Sequence, residues 1–178
     1  MADSKITQLT ELTAPDAGDL LAIVDDPAGT PITKKIKASV LGIPVIAYKS
    51  ADETVNNSDV LQDDNHLFIP IGANEVWAFT LTTIVNGDTA ADINRAFSVP
   101  SGATGGWGVA SGNNYNAFGA AIFQGTTTGT DIINIPVTGV VINSSTPGNL
   151  QFQWAQTIAT AVDTKVLKGS FLIAHRLA

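Results

Sequence analysis

The sequence contains no cysteine among its 178 residues, so disulfides, thiolate metal sites and cysteine nucleophiles are excluded outright. Charge is scarce as well. Asp, Glu, Lys and Arg together make up 14% of the chain, about half the usual share. Helix surfaces normally carry Glu, Lys and Arg; their scarcity beside abundant Thr, Asn, Ser and Gly points to strands and turns. Positive charge is the rarer sign, with nine Lys and Arg against sixteen Asp and Glu, a formal net charge of −7. A nucleic-acid partner requires a basic footprint for its phosphates, and an anionic membrane surface repels an acidic chain, so neither partner is expected. No apolar run approaches the roughly 18 residues of a membrane span. Met1-Ala2-Asp3-Ser4-Lys5 is polar and leads into no apolar segment, so no secretory signal is expected and synthesis is assigned to the cytoplasm.

What is present divides unevenly. Residues 1–49 hold five of the nine basic and six of the sixteen acidic residues; residues 50–178 hold four and ten. The first segment, taken as 1–42, spaces Ile6, Leu9 and Leu12 three residues apart, as in a short helix or an extended arm laying apolar knobs on a neighbour. Leu20-Leu21-Ala22-Ile23-Val24 then reads as a strand, Asp25 to Pro31 as a turn, and Ile32-Thr33-Lys34-Lys35-Ile36 as the return strand of a hairpin. Ala38-Ser39-Val40-Leu41-Gly42 reads as a last helical turn. So few apolar residues make no core, and this segment needs a partner surface to order it.

From residue 43 to 178 the pattern is β throughout. Trp77, Phe79, Leu81 and Val85 alternate with Thr80 and Thr82, the mark of a half-buried strand. Similar runs are Val45–Lys49, His66–Ile71, Ile93–Val99, Asn116–Gln124, Ile132–Ile142, Leu150–Ile158 and Val166–Leu177, separated by Gly, Pro, Asn and Ser clusters. Strands at this spacing predict an all-β fold, an antiparallel β-sandwich of jelly-roll type with a small N-terminal anchor.

No catalytic constellation stands out. Motifs for serine hydrolases, zinc proteases, nucleotide or dinucleotide binding are missing, and no cofactor, metal site or enzymatic activity is expected. Of the two histidines, His175 alternates in phase with Leu167, Phe171, Ile173 and Leu177, which predicts an inward-facing core or interface residue. His66 follows Asp63-Asp64-Asn65, but four adjacent residues of a strand point alternately to opposite faces, so a turn leading into Leu67 is expected in place of a metal site. Asp25-Asp26 before Pro27 is turn chemistry. Trp77 and Trp154 alternate with apolar neighbours and are assigned to the core. Trp107, inside Ser101-Gly102-Ala103-Thr104-Gly105-Gly106-Trp107-Gly108, is expected on a long glycine-rich loop, where it is the candidate surface contact.

These stretches carry a resemblance. Lys5-Ile6, Leu9 and Gly18-Asp19-Leu20-Leu21-Ala22-Ile23-Val24-Asp25, with Thr33-Lys34-Lys35-Ile36, resemble the N-terminal docking segments of tailed-phage virion structural proteins. Ala73 to Phe79, Phe97 to Ala103, Phe152 to Gln156 and Val166 to Arg176 resemble the small β-sandwich domains of the same class. The resemblance implies a fibre, spike or head-decoration protein, usually a homotrimer, on the virion surface. It implies an anchor formed by Ile6, Leu9, Leu12, Leu20, Leu21, Ile23, Lys34, Lys35 and Ile36 that docks on a capsid or tail protein. Lys34, Lys35 and Lys37 suit either an acidic patch on that partner or a strand edge guarded by lysines. The chain is short for a long tail fibre, which favours a head decoration, head fibre or short spike. The alternative function is a tail-fibre module binding host-surface polysaccharide or receptor.

Overall fold

Alternating apolar residues become strands where one side finds a core, and in this chain nearly every segment does so. A computed structural model of the protein describes residues 20–25, 29, 32–37, 42–109, 115–120, 122–123 and 127–178. In chain order its strands are β1 (Leu20–Asp25), β2 (Ile32–Lys37), β3 (Val45–Tyr48), β4 (Glu53–Val55), β5 (Gln62–Ile71), β6 (Val76–Thr82), β7 (Ile84–Asn86) and β8 (Ile93–Ser98). They continue as β9 (Thr104–Val109), β10 (Ile122–Phe123), β11 (Ile132–Ile133), β12 (Val137–Ile142), β13 (Gly148–Gln156), β14 (Thr164–Val166) and β15 (Phe171–Arg176). There is no helix among the described residues.

The chain divides into two compact units, Met1–Ile43 and Pro44–Ala178. In the first, β1 and β2 form an antiparallel hairpin whose register sets Leu21 opposite Ile36 and Ile23 opposite Lys34. Ile6, Leu9, Leu12 and the helical turn expected at Ala38-Ser39-Val40-Leu41 lie outside the described residues.

The second unit is the antiparallel sandwich that the sequence predicts. A five-stranded sheet runs β3-β15-β6-β12-β9, a four-stranded sheet β10-β8-β13-β5, and a second four-stranded sheet β11-β7-β14-β4. The first two pack face to face: Phe79 on β6 meets Phe97 on β8 at 4.9 Å between ring centroids. Phe97 in turn meets Trp107 on β9 edge-on at 5.3 Å and Phe152 on β13 at 5.6 Å. Leu67, Ile69, Leu81, Leu150 and Leu172 close around this aromatic centre, all without exposed surface.

Three runs expected as single strands are each two. Glu75–Val85 breaks at Thr83 into β6 and β7, Ile132–Ile142 breaks into β11 and β12, and Val166–Leu177 breaks into β14 and β15. The reason is shared: β6, β12 and β15 belong to the five-stranded sheet, whereas β7, β11 and β14 belong to the second four-stranded one. The chain crosses between sheets at one level in all three, and corners of this kind need a break in the ladder. The backbone amide of Asn134 donates to the carbonyl of Thr83 at 2.9 Å across that level. Asn116–Gln124 is likewise not one strand. Asn116 forms an isolated bridge to Trp107, and among the described residues of the run only Ile122–Phe123 form a strand, paired with β8.

Residues opposite each other in an antiparallel pair share a face of the sheet. Leu172 opposite Leu81 and Ala174 opposite Phe79 line the core face of the five-stranded sheet. The other face carries Phe171 beside Tyr48 and Thr82, Ile173 beside Ile46 and Thr80, and His175 beside Ala78. Its rows continue on β12 and β9, with Thr138 beside Gly108, Val140 beside Gly106 and Ile142 beside Thr104. His175 is therefore exposed and not inward-facing as expected. Both sides of β15 are apolar, so alternation alone does not say which side the core takes; packing takes the Leu172 side.

Candidate functional site

Among the described residues, histidine and carboxylates come together once in the sandwich. Lys49 follows β3, Glu53 opens β4, and Asp64 and His66 lie in β5. One ligand atom from each of Glu53, Asp64 and His66 falls within a sphere where all lie within 4.8 Å of one another. A bulge creates this grouping. The pairing of β5 with β13 skips between Gln151 and Gln153, whose partners are Phe68 and Asp63. The inward phase consequently shifts between Asp64 and Leu67, and the Asp63–His66 run lies inside a strand rather than in a turn before it. Two of its four side chains, Asp64 and His66, approach Glu53, while Asp63 turns out to accept from Gln153 Nε2 at 2.8 Å.

The centre of the group is already filled by a cation of the chain itself. Lys49 Nζ lies 2.7 Å from Glu53 Oε2 and 2.7 Å from Asp64 Oδ2, and the Lys49 and Asp64 side chains are both 0% exposed. Each carboxylate is further saturated by neutral donors. Asp64 Oδ1 accepts from the backbone amides of His66 at 2.9 Å and Leu67 at 3.0 Å, and Oδ2 accepts from Trp154 Nε1 at 3.2 Å. Glu53 accepts from Gln62 Nε2 at 3.1 Å and from the amide of Asn65 at 3.1 Å. Such a network does not suit a metal ion, because an ammonium holds the metal's place and the oxygens' lone pairs are committed. It joins β3, β4, β5 and β13 and works as a buried clasp.

Two other polar groups serve the same structural end. Glu75 accepts from the amide of Gly72 at 2.6 Å and from Trp77 Nε1 at 3.0 Å, and pairs with Arg176 at 2.9 Å. Trp77 and Trp154 are thus core residues, as expected, each with its indole N–H satisfied by a carboxylate. Arg95 is buried and donates to the Ile135 carbonyl at 3.1 Å. Burial pushes its guanidinium down to about 10, so it stays charged at neutral pH.

Trp107 is not a surface contact. It is 2% exposed and sits on β9, in the stretch expected to be a loop. Glycine here serves close approach and not flexibility. Gly105 has φ of +108°, and a Cβ on it would strike the carbonyl oxygen of Val140. A Cβ on Gly106 would meet the ring of Tyr115 at 2.5 Å. Only glycines let β9 lie flat between β12 and that ring. The exposed aromatic beside β9 is Tyr115, 74% exposed, its hydroxyl donating to the Gly105 carbonyl at 2.7 Å. Beside it lies an open trough of about 520 Å³ floored by Gly106, Gly108, Thr138 and Val140. A tyrosine following a glycine run is the signal that would have pointed to it.

Of the expected anchor residues, Leu20, Leu21 and Ile23 lie on β1 and Lys34, Lys35 and Ile36 on β2, adjacent strands of one hairpin. Ile6, Leu9 and Leu12 are outside the described residues.

No protein-family model matches this chain, and no curated protein matches it. Among solved structures it is similar to that of infectious bursal disease virus, Gt strain, at 14% identity and a TM-score of 0.29, over 90% of this chain and 43% of that one. It is also similar to the VP2 subviral particle of infectious bursal disease virus, at 12% identity and a TM-score of 0.30, over 95% of this chain and 48% of that one. The chain spans less than half the length of either, and a likeness this distant carries no argument about function.

Proposed function

We propose that this chain is a structural component of a tailed-phage particle: a trimeric head decoration, head fibre or short spike on the virion surface. It docks on a capsid or tail protein through its N-terminal unit and displays the sandwich outward, acting by binding alone. The observation that carries this reading is the division of the chain into a small hairpin unit, Met1–Ile43, and a sandwich with its own core, Pro44–Ala178. A cysteine-free unit of that size is at the lower limit of independent folding and gains its order from another surface. The resemblance of its sequence to phage docking segments supports a capsid or tail protein as that surface.

Particles purified from the producing host test it. Antibody raised against the sandwich is expected to label them. Full-length Leu21→Asp/Ile23→Asp protein is expected to enter particles at least about tenfold less, because two charges in an apolar docking strand cost as much as losing a binding hot spot. The sandwich should melt at the wild-type temperature in that variant. Unlabelled particles, or undiminished incorporation, would overturn the docking role.

Tyr115 favours a second reading, a host-polysaccharide module. A fixed, exposed aromatic plate beside a trough is what a sugar ring stacks on. Here Tyr115→Ala is expected to abolish binding on an array of host glycans while changing stability by no more than about 0.5 kcal/mol. No glycan bound by the wild-type chain disposes of this reading.

A further inference from the structure

We infer that the outward face of the five-stranded sheet is the surface on which three copies of this chain meet. The inference rests on the trimeric reading above and assigns that trimer a surface.

A sheet with one side in solvent normally alternates apolar inside and polar outside. This sheet departs from that rule. On its outward side Ile46 is 59% exposed, Tyr48 56%, Ile142 48% and Val140 39%, and Phe171 and Ile173 lie half-buried among them. Its outward rows hold no Asp, Glu, Lys or Arg; the polar residues among them are Thr80, Thr82, Thr104, Thr138 and His175. Isolated exposed hydrophobics are ordinary, but a contiguous cluster of them on a face without Asp, Glu, Lys or Arg is the mark of an interaction surface.

Charge identifies the occupant. Copies of a chain with net charge −7 repel one another, and they approach at least cost through a surface that carries none of that charge. A basic or acidic foreign partner would find no counter-charge on this face to recognise. The dimensions of the face suit three copies. Five strands spaced about 4.8 Å apart make a face about 24 Å wide and, at six residues, about 20 Å long, a footprint near 500 Å². Each copy buries the same face in a dimer or a trimer, so the count of three comes from the trimeric reading and not from area; three such faces bury about 1,500 Å² in all. Three walls of that width close into a triangular prism with each wall about 7 Å from the axis, a depth that Ile, Phe and Tyr side chains fill, as they do between sheets packed about 10 Å apart.

Light scattering after gel filtration of the full-length protein, combined with thiol labelling, tests this, and a cysteine-free chain makes the labelling clean. The wild-type chain is expected at about 55 kDa, three times 18.5 kDa. Val140→Glu and Ile46→Glu are expected at 18.5 kDa, with the near-ultraviolet signal of the buried tryptophans retained to show that the sandwich is folded. Val140→Cys is expected to react with a maleimide at least about tenfold more slowly than Val60→Cys, since the core of an interface excludes reagent as it excludes water; Val60 is 72% exposed and off this face. If a glutamate variant does not fold, the cysteine pair still decides.

A wild-type trimer that both glutamates leave intact, with Val140→Cys as reactive as Val60→Cys, would overturn the assigned face while the trimer stands. A wild-type monomer would overturn trimer and face together. A monomer in which Val140→Cys is nonetheless shielded would show that another part of the same chain covers the face, and this too overturns the inference. Reactive Val140→Cys is also what the glycan reading requires, because Val140 borders the trough beside Tyr115.

Discussion

Lys49→Ala is expected to lower the stability of the sandwich by about 3–5 kcal/mol, the usual result of removing one partner from a fully buried ion pair. In a unit of this size that corresponds to a fall of roughly 10–15 °C in melting temperature, readable by tryptophan fluorescence. The effect comes from what is left behind. Without the ammonium, Asp64 and Glu53 face each other in the interior as like charges, and only neutral donors remain to hold them. Lys49→Met, which restores the apolar stem but not the charge, should recover little. The exposed pair Lys165–Asp163, at 3.5 Å with side chains 39% and 47% exposed, supplies the contrast. Lys165→Ala is expected to change stability by less than about 1 kcal/mol, because water and salt already screen that pair. Equal effects at the two lysines would show that burial is not what makes Lys49 matter.

Trp107→Ala is expected to cost a further large amount, about 3–5 kcal/mol, through the cavity it opens at the aromatic centre. Trp107 packs edge-on against Phe97, which also holds Phe79 and Phe152, so the indole is part of the contact between two sheets. Trp107→Phe is expected to recover much of that loss. A phenyl ring keeps part of the volume and removes the indole N–H, which is buried without a hydrogen-bond partner among the described residues. Chemical denaturation of the three proteins checks the order: wild type most stable, Phe between, Ala least. An alanine variant as stable as wild type would place Trp107 at the surface after all.

The contrast between Trp107 and Tyr115 shows where reading residues in order succeeds and where it fails. Trp77 and Trp154 sit in clear alternations, and the core holds both. Trp107 sits among glycines, which locally signal a loop; yet Gly105 and Gly106 are required by the Val140 carbonyl and the Tyr115 ring, contacts made across the fold. β15 misleads in another way. Phe171, Ile173 and His175 on one side look as core-like as Leu172 and Ala174 on the other, since an apolar outward face and an apolar inward face give the same pattern. The clasp had no local signal beyond Asp64 and His66. Its lysine lies 15 residues before Asp64 and its tryptophan 90 residues after it.

By itself the sequence determined the all-β class and the exclusion of cysteine chemistry. Composition and period-two alternation are local properties that any burial on one side imprints on a strand. The tertiary structure alone decided which side of β15 is core, where long runs break to cross between sheets, that Trp107 is inside, and that Lys49 occupies the one carboxylate–histidine cluster among the described residues. Each of these depends on what lies opposite in space, and in a sandwich of long-range antiparallel pairs the opposite residue is seldom near in sequence.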